Sequence, residues 1–338
     1  MTPLFWLESQ SMHKILVTGA TGFIGSNLVK VLRDKKYKVI AAIRSEKKKQ
    51  LLPKNVGYIA LDLMDKDGLS KAVSVVDTVF NVAATLPYHQ LRDQDYINSN
   101  VLGVSNIIDA CLNYNAKLVH ISTVGVFGDT SVAGYDETAP IKTTDIYSRT
   151  KREGDLLIYK AIRDKKLKAT IIRPTIGYGP GDIRPGFINL FRLIKRGLFI
   201  PVGKGENFFH TIYIENLIAA LILAGSKKEA LGEDFIIGDD PCPRMSELIN
   251  IIAAEEGVKL PSFYIPGNLA YTIGLVGNLA KKVGFSLPLT TQRVKFITQN
   301  KRFKIERAKK VLGYSPQFDL RAGVAKTYAW YTKNKYIT

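Results

Sequence analysis

The 338-residue sequence predicts an α/β fold, a doubly wound parallel sheet with a smaller, mostly helical C-terminal domain. Three observations predict it. From Lys14 to Pro174, short apolar runs alternate with helix-period segments, the pattern of successive βαβ units. The runs are apolar almost throughout, as strands covered on both faces are. After Pro174 the rhythm breaks into turn-rich stretches, and from Pro241 helices dominate, punctuated by Pro261, Pro266 and Pro288.

Residues 1–11 show no periodicity and are expected to be an N-terminal extension, with Met12 a second candidate start. KILVT (14–18) is the first strand, and a Gly-rich turn leads into a helix to about Leu32. VIAAI (39–43), GYIALDL (57–63), DTVFNVAA (77–84), KLVHIS (117–122) and KATIIRP (168–174) are the further strands. YINSNVLGVSNIIDACLN (96–113) and YSRTKREGDLLIYKAI (147–162) are helices between them. The domain expectation is a nucleotide-binding unit over 12–175 plus about 206–238, and a substrate-binding unit over 176–205 and 239–338. Ligands of open α/β sheets bind beyond the carboxyl ends of the strands, so the second unit is expected to cover that edge.

Composition narrows the function classes. With 46% hydrophobic and 23% charged residues, the chain is neither disordered nor low-complexity. Cys111 and Cys242 are too few for a disulfide framework or a zinc site. No signal peptide and no apolar run of membrane-spanning length is legible, so a soluble cytoplasmic protein is expected. The net charge of +18 attracts anions. Its basic residues are dispersed, without a nucleic-acid motif, and read as a solvated surface. No His/Cys/Asp/Glu set has metal-ligand spacing.

Two motifs carry chemistry. Thr18-Gly19-Ala20-Thr21-Gly22-Phe23-Ile24-Gly25 follows a strand and opens a helix, the setting of a Rossmann-type dinucleotide site. Gly19 allows the tight turn, Gly22 lets backbone approach a pyrophosphate, and Gly25 permits close packing of helix on strand. Arg44, ending the second strand with Lys47 and Lys48 beyond it, suits the 2′-phosphate of NADP(H); Glu46 keeps NAD(H) open. Asp62-Leu63 fits an adenine contact, although an Asp at a strand end also serves as a cap or turn residue. Ala83 and Ala84 are small enough for a cofactor to lie against backbone.

The second motif is Tyr147-Ser148-Arg149-Thr150-Lys151. Residues four apart share a helix face, so the ammonium favours the phenolate and draws its pKa from about 10 towards neutrality. A phenol so tuned can act as acid or base at an alcohol–ketone carbon. Ser122-Thr123, ending the preceding strand, can hydrogen-bond the substrate oxygen.

Together these residues resemble the extended branch of the short-chain dehydrogenase/reductase superfamily, over nearly all of the chain from Lys14. TGATGFIG, LDL, NVAA, HISTVGVFG, YSRTK and RPTIGYGPGD each have a counterpart there. The resemblance implies Tyr147, Lys151 and Thr123 as the catalytic set. It implies a cofactor lined by Gly19, Thr21, Gly22, Phe23, Ile24, Gly25, Arg44, Asp62, Leu63, Ala83, Ala84, Tyr147, Lys151, Pro174 and Ile176. It also implies a homodimer. The segments GKGENFFHTIYIENLIAALILA and LPLTTQRVKFITQNKRFKIERAKKVLGYSPQFDL look like those of 3β-hydroxysteroid and sterol-carboxylate dehydrogenases, with dihydroflavonol reductases nearby. Sugar-nucleotide epimerases usually carry an Asn where this chain has Ile176. The NAD-using sterol enzymes carry Asp where it has Arg44.

The expected activity is therefore hydride transfer between NADP(H) and a secondary alcohol or ketone of a hydrophobic substrate, steroid-like or a long-chain β-hydroxy or β-keto compound. A nucleotide-sugar epimerase or reductase is the alternative in the same fold, and a non-catalytic NADP-binding regulator the alternative from another class. The apolar stretch 265–280 is expected to pack in a core, with a greasy substrate wall or a peripheral membrane contact as the functional alternative. His210, in the aromatic run NFFHTIY, is expected to be structural.

Overall fold

The computed structural model describes residues 13–87, 91–128, 130, 134–282 and 289–337. The expected N-terminal extension, 1–11, lies outside these, as does part of the loop after Leu86.

Seven strands form one parallel sheet in the order β3-β2-β1-β4-β5-β6-β9. They are β1 (Lys14–Thr18), β2 (Lys38–Ile43), β3 (Gly57–Ala60), β4 (Thr78–Asn81), β5 (Lys117–Ile121), β6 (Ala169–Pro174) and β9 (Asp234–Ile237). A separate parallel pair joins β7 (Ile176–Tyr178) to β8 (Thr211–Tyr213). The third strand ends at Ala60, short of the expected Leu63, because the chain turns at Leu63-Met64, where the Asp65 N–H bonds back to the Asp62 carbonyl at 3.0 Å. β9 was not among the expected strands.

The near-continuous apolarity of the strands is explained by burial on both sheet faces. Along β1, Ile15 and Val17 join the core beneath α1 (Phe23–Asp34) and α7 (Ile214–Ser226), packing with Leu28, Leu32 and Leu217. Leu16 points the other way, into the core beneath α2 (Lys66–Val73), α4 (Gly103–Asn113) and α5 (Ile146–Lys165), with Leu69, Ile107 and Ile158. Between α3 (Asp93–Ile97) and α4 the helix widens by one π-turn, Asn98–Leu102. The edge strand β9 is covered by a side chain: Glu137 Oε1 accepts from the Ile236 N–H at 2.8 Å, which occupies a donor that an unpaired edge would expose.

The remaining helices are α6 (Pro185–Lys195), α8 (Met245–Glu256), α9 (Gly267–Lys282), α10 (Thr291–Thr298) and α11 (Leu320–Lys333). α9 corrects the core expectation for 265–280. Leu269, Leu275, Val276 and Leu279 are exposed, whereas Ala270, Gly274 and Gly277 are buried. The helix turns its small residues inward because it crosses α10 too closely for larger ones: a Cβ on Gly274 would stand 2.8 Å from the Thr291 nitrogen. Among the described residues no helix is long and apolar enough to cross a membrane.

Candidate active site

The parallel register brings the ends of β1, β2, β4, β5 and β6 to one edge of the sheet, and the sequence-expected residues follow those ends. The turn after β1 is held by glycine geometry. Gly19 has φ +64°, and a Cβ there would lie 2.7 Å from the Ala83 nitrogen after β4. A Cβ on Gly25 would lie 2.2 Å from the Gly19 carbonyl oxygen, so only hydrogen lets α1 approach the turn this closely. Gly22 is less constrained, its virtual Cβ 3.3 Å from the same oxygen. Gly22 caps α1 without a side-chain hydrogen bond, and the first turn has no acidic residue. The helix start, with Thr21, Phe23 and Ile24 around it, thus presents backbone donors suited to an anion. This cradle fits a dinucleotide pyrophosphate.

Arg44 stands exposed just past β2, and Lys47 and Lys48 beyond it are exposed too. Asp62 is exposed and its Oδ1 accepts from the Met64 N–H at 2.9 Å, the turn role weighed for it; Leu63 beside it is buried. Ala83 and Ala84 are half-buried, and the Ala83 N–H donates to Thr18 Oγ1 at 3.2 Å. Pro174 ends β6 and half-buried Ile176 begins β7. A bridge unseen in the sequence ties α1 to the loop after β7: the Arg184 guanidinium lies 4.5 Å from the Phe23 ring centroid, bonds the Gly177 carbonyl at 2.8 Å and chelates Asp182.

α5 sets the second motif. Its start is fixed by a capping box, Asp145 Oδ1 accepting from the Ser148 N–H at 2.7 Å and Ser148 Oγ accepting from the Asp145 N–H at 3.2 Å. Tyr147, half-buried, is in that first turn. One turn on, Lys151 is buried, and its Nζ donates to the Ile121 carbonyl at 2.6 Å and lies 3.2 Å from His120 Nε2. The Lys-bearing helix is thereby pinned to β5, two residues before Thr123. Burial draws the Lys151 ammonium down to about 8, against the opposing pull of Asp155.

The two hydroxyls after β5 divide their tasks. Ser122 Oγ donates to Asp155 Oδ2 at 2.9 Å, inside a buried network. Thr123 Oγ1 accepts from the Gly125 N–H at 3.0 Å, which leaves its own proton to donate elsewhere. The network beneath was not legible in the sequence. Arg173, fully buried, bonds Asp155 Oδ2 at 2.9 Å and Asp234 Oδ2 at 3.0 Å, joining β6 to α5 and β9. Burial raises the Asp155 carboxyl, opposed by Arg173 and Lys151. On the other side, His120 Nδ1 lies 3.0 Å from the Asn81 side-chain amide, itself 2.7 Å from Thr18 Oγ1. Burial, then the charges of Lys151 and Arg173, hold His120 far below its usual range, so its ring is neutral. Asn100, on the π-turn, donates to Thr150 Oγ1 at 3.1 Å and accepts from the Thr85 N–H at 3.0 Å, stitching the β4 loop to α5. The one signal for His120 was a polar residue set between the apolar residues Val119 and Ile121 of its strand.

His210 is structural, as expected. Its Nδ1 accepts from the Phe303 N–H at 3.2 Å, its Nε2 lies 2.8 Å from the Asp239 carbonyl, and burial lowers it to about 4. Both cysteines are free. Among the described residues no acidic, His and Cys group could hold a metal ion.

Comparison with known proteins agrees with this geometry. The NAD dependent epimerase/dehydratase family matches residues 15–238. The chain is 31% identical to a 3beta-hydroxysteroid-dehydrogenase/decarboxylase isoform 1 of Arabidopsis thaliana, over 92% of this chain and 78% of that one. It is 27% identical to a decarboxylating sterol-4-alpha-carboxylate 3-dehydrogenase of Candida albicans, over 95% and 98%. Its fold superposes on the NAD complex of UDP-glucuronic acid 4-epimerase from Bacillus cereus with a TM-score of 0.75 at 25% identity, covering 96% and 99%. A glycine cradle only hydrogen can line, a Tyr-x-x-x-Lys helix pinned to the strand before Thr123, and a match across the whole sheet place this chain in the NAD dependent epimerase/dehydratase family, as an NAD(P)-dependent oxidoreductase of the extended short-chain type.

Proposed function

We propose that the protein interconverts a secondary alcohol and a ketone in a hydrophobic substrate, steroid-like or a long-chain β-hydroxy or β-keto compound, using NADP(H). The observation that carries this reading is the 2.6 Å bond from Lys151 to the Ile121 carbonyl. It seats the helix bearing Tyr147 against the strand end where Thr123 keeps a proton to donate. Tyr147 takes the alcohol proton in oxidation and returns it in reduction. Thr123 orients the reacting oxygen by donating to it. The Lys151 ammonium has three protons, two of them directed at Ile121 and His120. The third is available to a hydroxyl group in the site, and its charge favours the Tyr147 phenolate. NADP(H), when bound, supplies or accepts the hydride.

The hydrophobic substrate class is supported by Ile176, whose side chain cannot hydrogen-bond a nucleotide diphosphate, and by the sterol activities named for both relatives above. NADP(H) is supported by Arg44 with Lys47 and Lys48 at the end of β2. A homodimer in the cytoplasm belongs to the same reading.

The test pairs two variants. Tyr147→Phe lowers kcat for NADPH-dependent reduction of a long-chain β-keto ester or 3-ketosteroid by about 100- to 10,000-fold, with NADPH affinity retained. Arg44→Ala reduces the preference for NADPH over NADH by about tenfold, or 1.4 kcal/mol. Conversion of a UDP-sugar without net cofactor turnover, in place of ketone reduction, would overturn the substrate class in favour of epimerisation.

A further inference from the structure

Among the described residues the outward face of α9 has no partner. Leu269, Tyr271, Ile273, Leu275, Val276 and Leu279 are 37–62% exposed. At 3.6 residues per turn they span an arc of about 200°. Asn268 and Thr272 interrupt it, and the Thr272 hydroxyl donates back to the Asn268 carbonyl at 3.1 Å. The opposite face is the Ala270, Gly274, Gly277 seam against α10, so the large side chains cannot turn inward. Phe263 and Tyr264, just before the helix, extend the exposed apolar surface.

The sequence that carries this helix has charge of one sign. Between residues 257 and 305 the chain carries eight Lys and Arg residues and not one Asp or Glu, although acidic residues are interspersed through the rest of the chain. A protein partner would be matched by a rim of directional polar groups, and the arc offers almost none. An apolar arc within a purely basic segment instead matches an anionic bilayer, where the side chains enter the acyl boundary and the cations meet lipid phosphates. We propose that α9 docks the protein on anionic phospholipid membranes, lying in the interface. Sixteen residues span about 24 Å along the axis, and the helix stays on the surface rather than crossing. This inference does not depend on the substrate assigned above.

The experiment compares the full chain with a Leu275→Glu/Val276→Glu double variant in vesicle co-sedimentation, using 1:1 phosphatidylglycerol:phosphatidylcholine and pure phosphatidylcholine. Both positions are exposed, so an unchanged thermal midpoint and NADPH affinity verify the variant's fold. The wild type is expected to bind the anionic vesicles, at least tenfold more weakly at 0.5 M salt or on phosphatidylcholine, and the variant at least tenfold more weakly than the wild type. Absence of binding to anionic vesicles, or equal binding by the variant, would overturn the proposal. So would light scattering that shows a wild-type dimer without lipid that the variant dissociates, which would make the arc an interface between two copies. Reduction of a water-soluble ketone by the same samples reads the catalytic assignment separately.

Discussion

From Lys151 to Thr18 runs a line of buried side chains in hydrogen-bond contact. An ammonium only donates, so His120 Nε2 is the acceptor for Lys151. On its other side the ring meets the Asn81 side-chain nitrogen at 3.0 Å, Asn81 Oδ1 accepts from the Thr18 hydroxyl at 2.7 Å, and Thr18 Oγ1 accepts from the Ala83 N–H. His120 is thus a positioning residue for Lys151. His120→Leu removes an acceptor from a buried cation, a loss of about 1.5–3 kcal/mol. Because Lys151 loses its proton near pH 8, activity is expected to fall above that pH, and in His120→Leu the fall moves to lower pH. His120→Gln, which keeps an acceptor, restores the position of that limb. A pH–kcat/KM profile that is the same in all three proteins would dismiss the role. Tyr147, Lys151 and Thr123 were legible because their relation is local, a helix spacing and a strand end. His120, Asn100 and Arg173 were not, because their partners arrive from elements 30 to 60 residues away.

At the scale of elements, the approach of α1 to β1 is set by one missing methyl group. Gly25→Ala forces a Cβ to within 2.2 Å of the Gly19 carbonyl, so the helix must move off the turn. NADPH binding is expected to weaken at least tenfold, by fluorescence titration. Gly186→Ala on α6, where a Cβ meets nothing within 4 Å, leaves it unchanged. If both variants bind alike, the cradle does not depend on that contact. The order of strands and helices up to β6 could be read from apolar runs because each is buried on both sides. β9 escaped notice because its four residues follow the broken rhythm after Pro174, where the alternation no longer frames a strand. α9 misled for another reason. Apolarity all round does not say which face is inward, and the Ala270, Gly274, Gly277 spacing that decides it acquires meaning only once α10 is in place.

At the scale of the molecule, one carboxyl at the end of α8 opposes folding at neutral pH. Glu256 is buried, neither carboxylate oxygen has a hydrogen-bond partner, and burial raises it to about 7, with Lys195 opposing. Since the folded value exceeds the ordinary 4.5, the native protein retains a proton that the unfolded chain releases over this interval. Stability contributed by this group is therefore greatest below pH 4.5, declines as pH rises to 7, and stays low above it. Glu256→Gln is expected to be more stable than the wild type by about 1–3 kcal/mol at pH 8, with the gap narrowing at pH 5 in urea denaturation. A constant gap would place the effect elsewhere.

The Arg173 bridge carries a consequence for the nascent chain. During synthesis α5 and β6 emerge some sixty residues before Asp234, so the guanidinium first meets one of its two carboxylates, and α5 docks on a sheet that lacks its outer strand. The helix carrying Tyr147 and Lys151 therefore reaches its final seat after the ribosome has delivered β9. An arrest peptide that stalls translation before residue 234 should hold the helix in an unfinished setting, and one that stalls after β9 clears the tunnel should let it close.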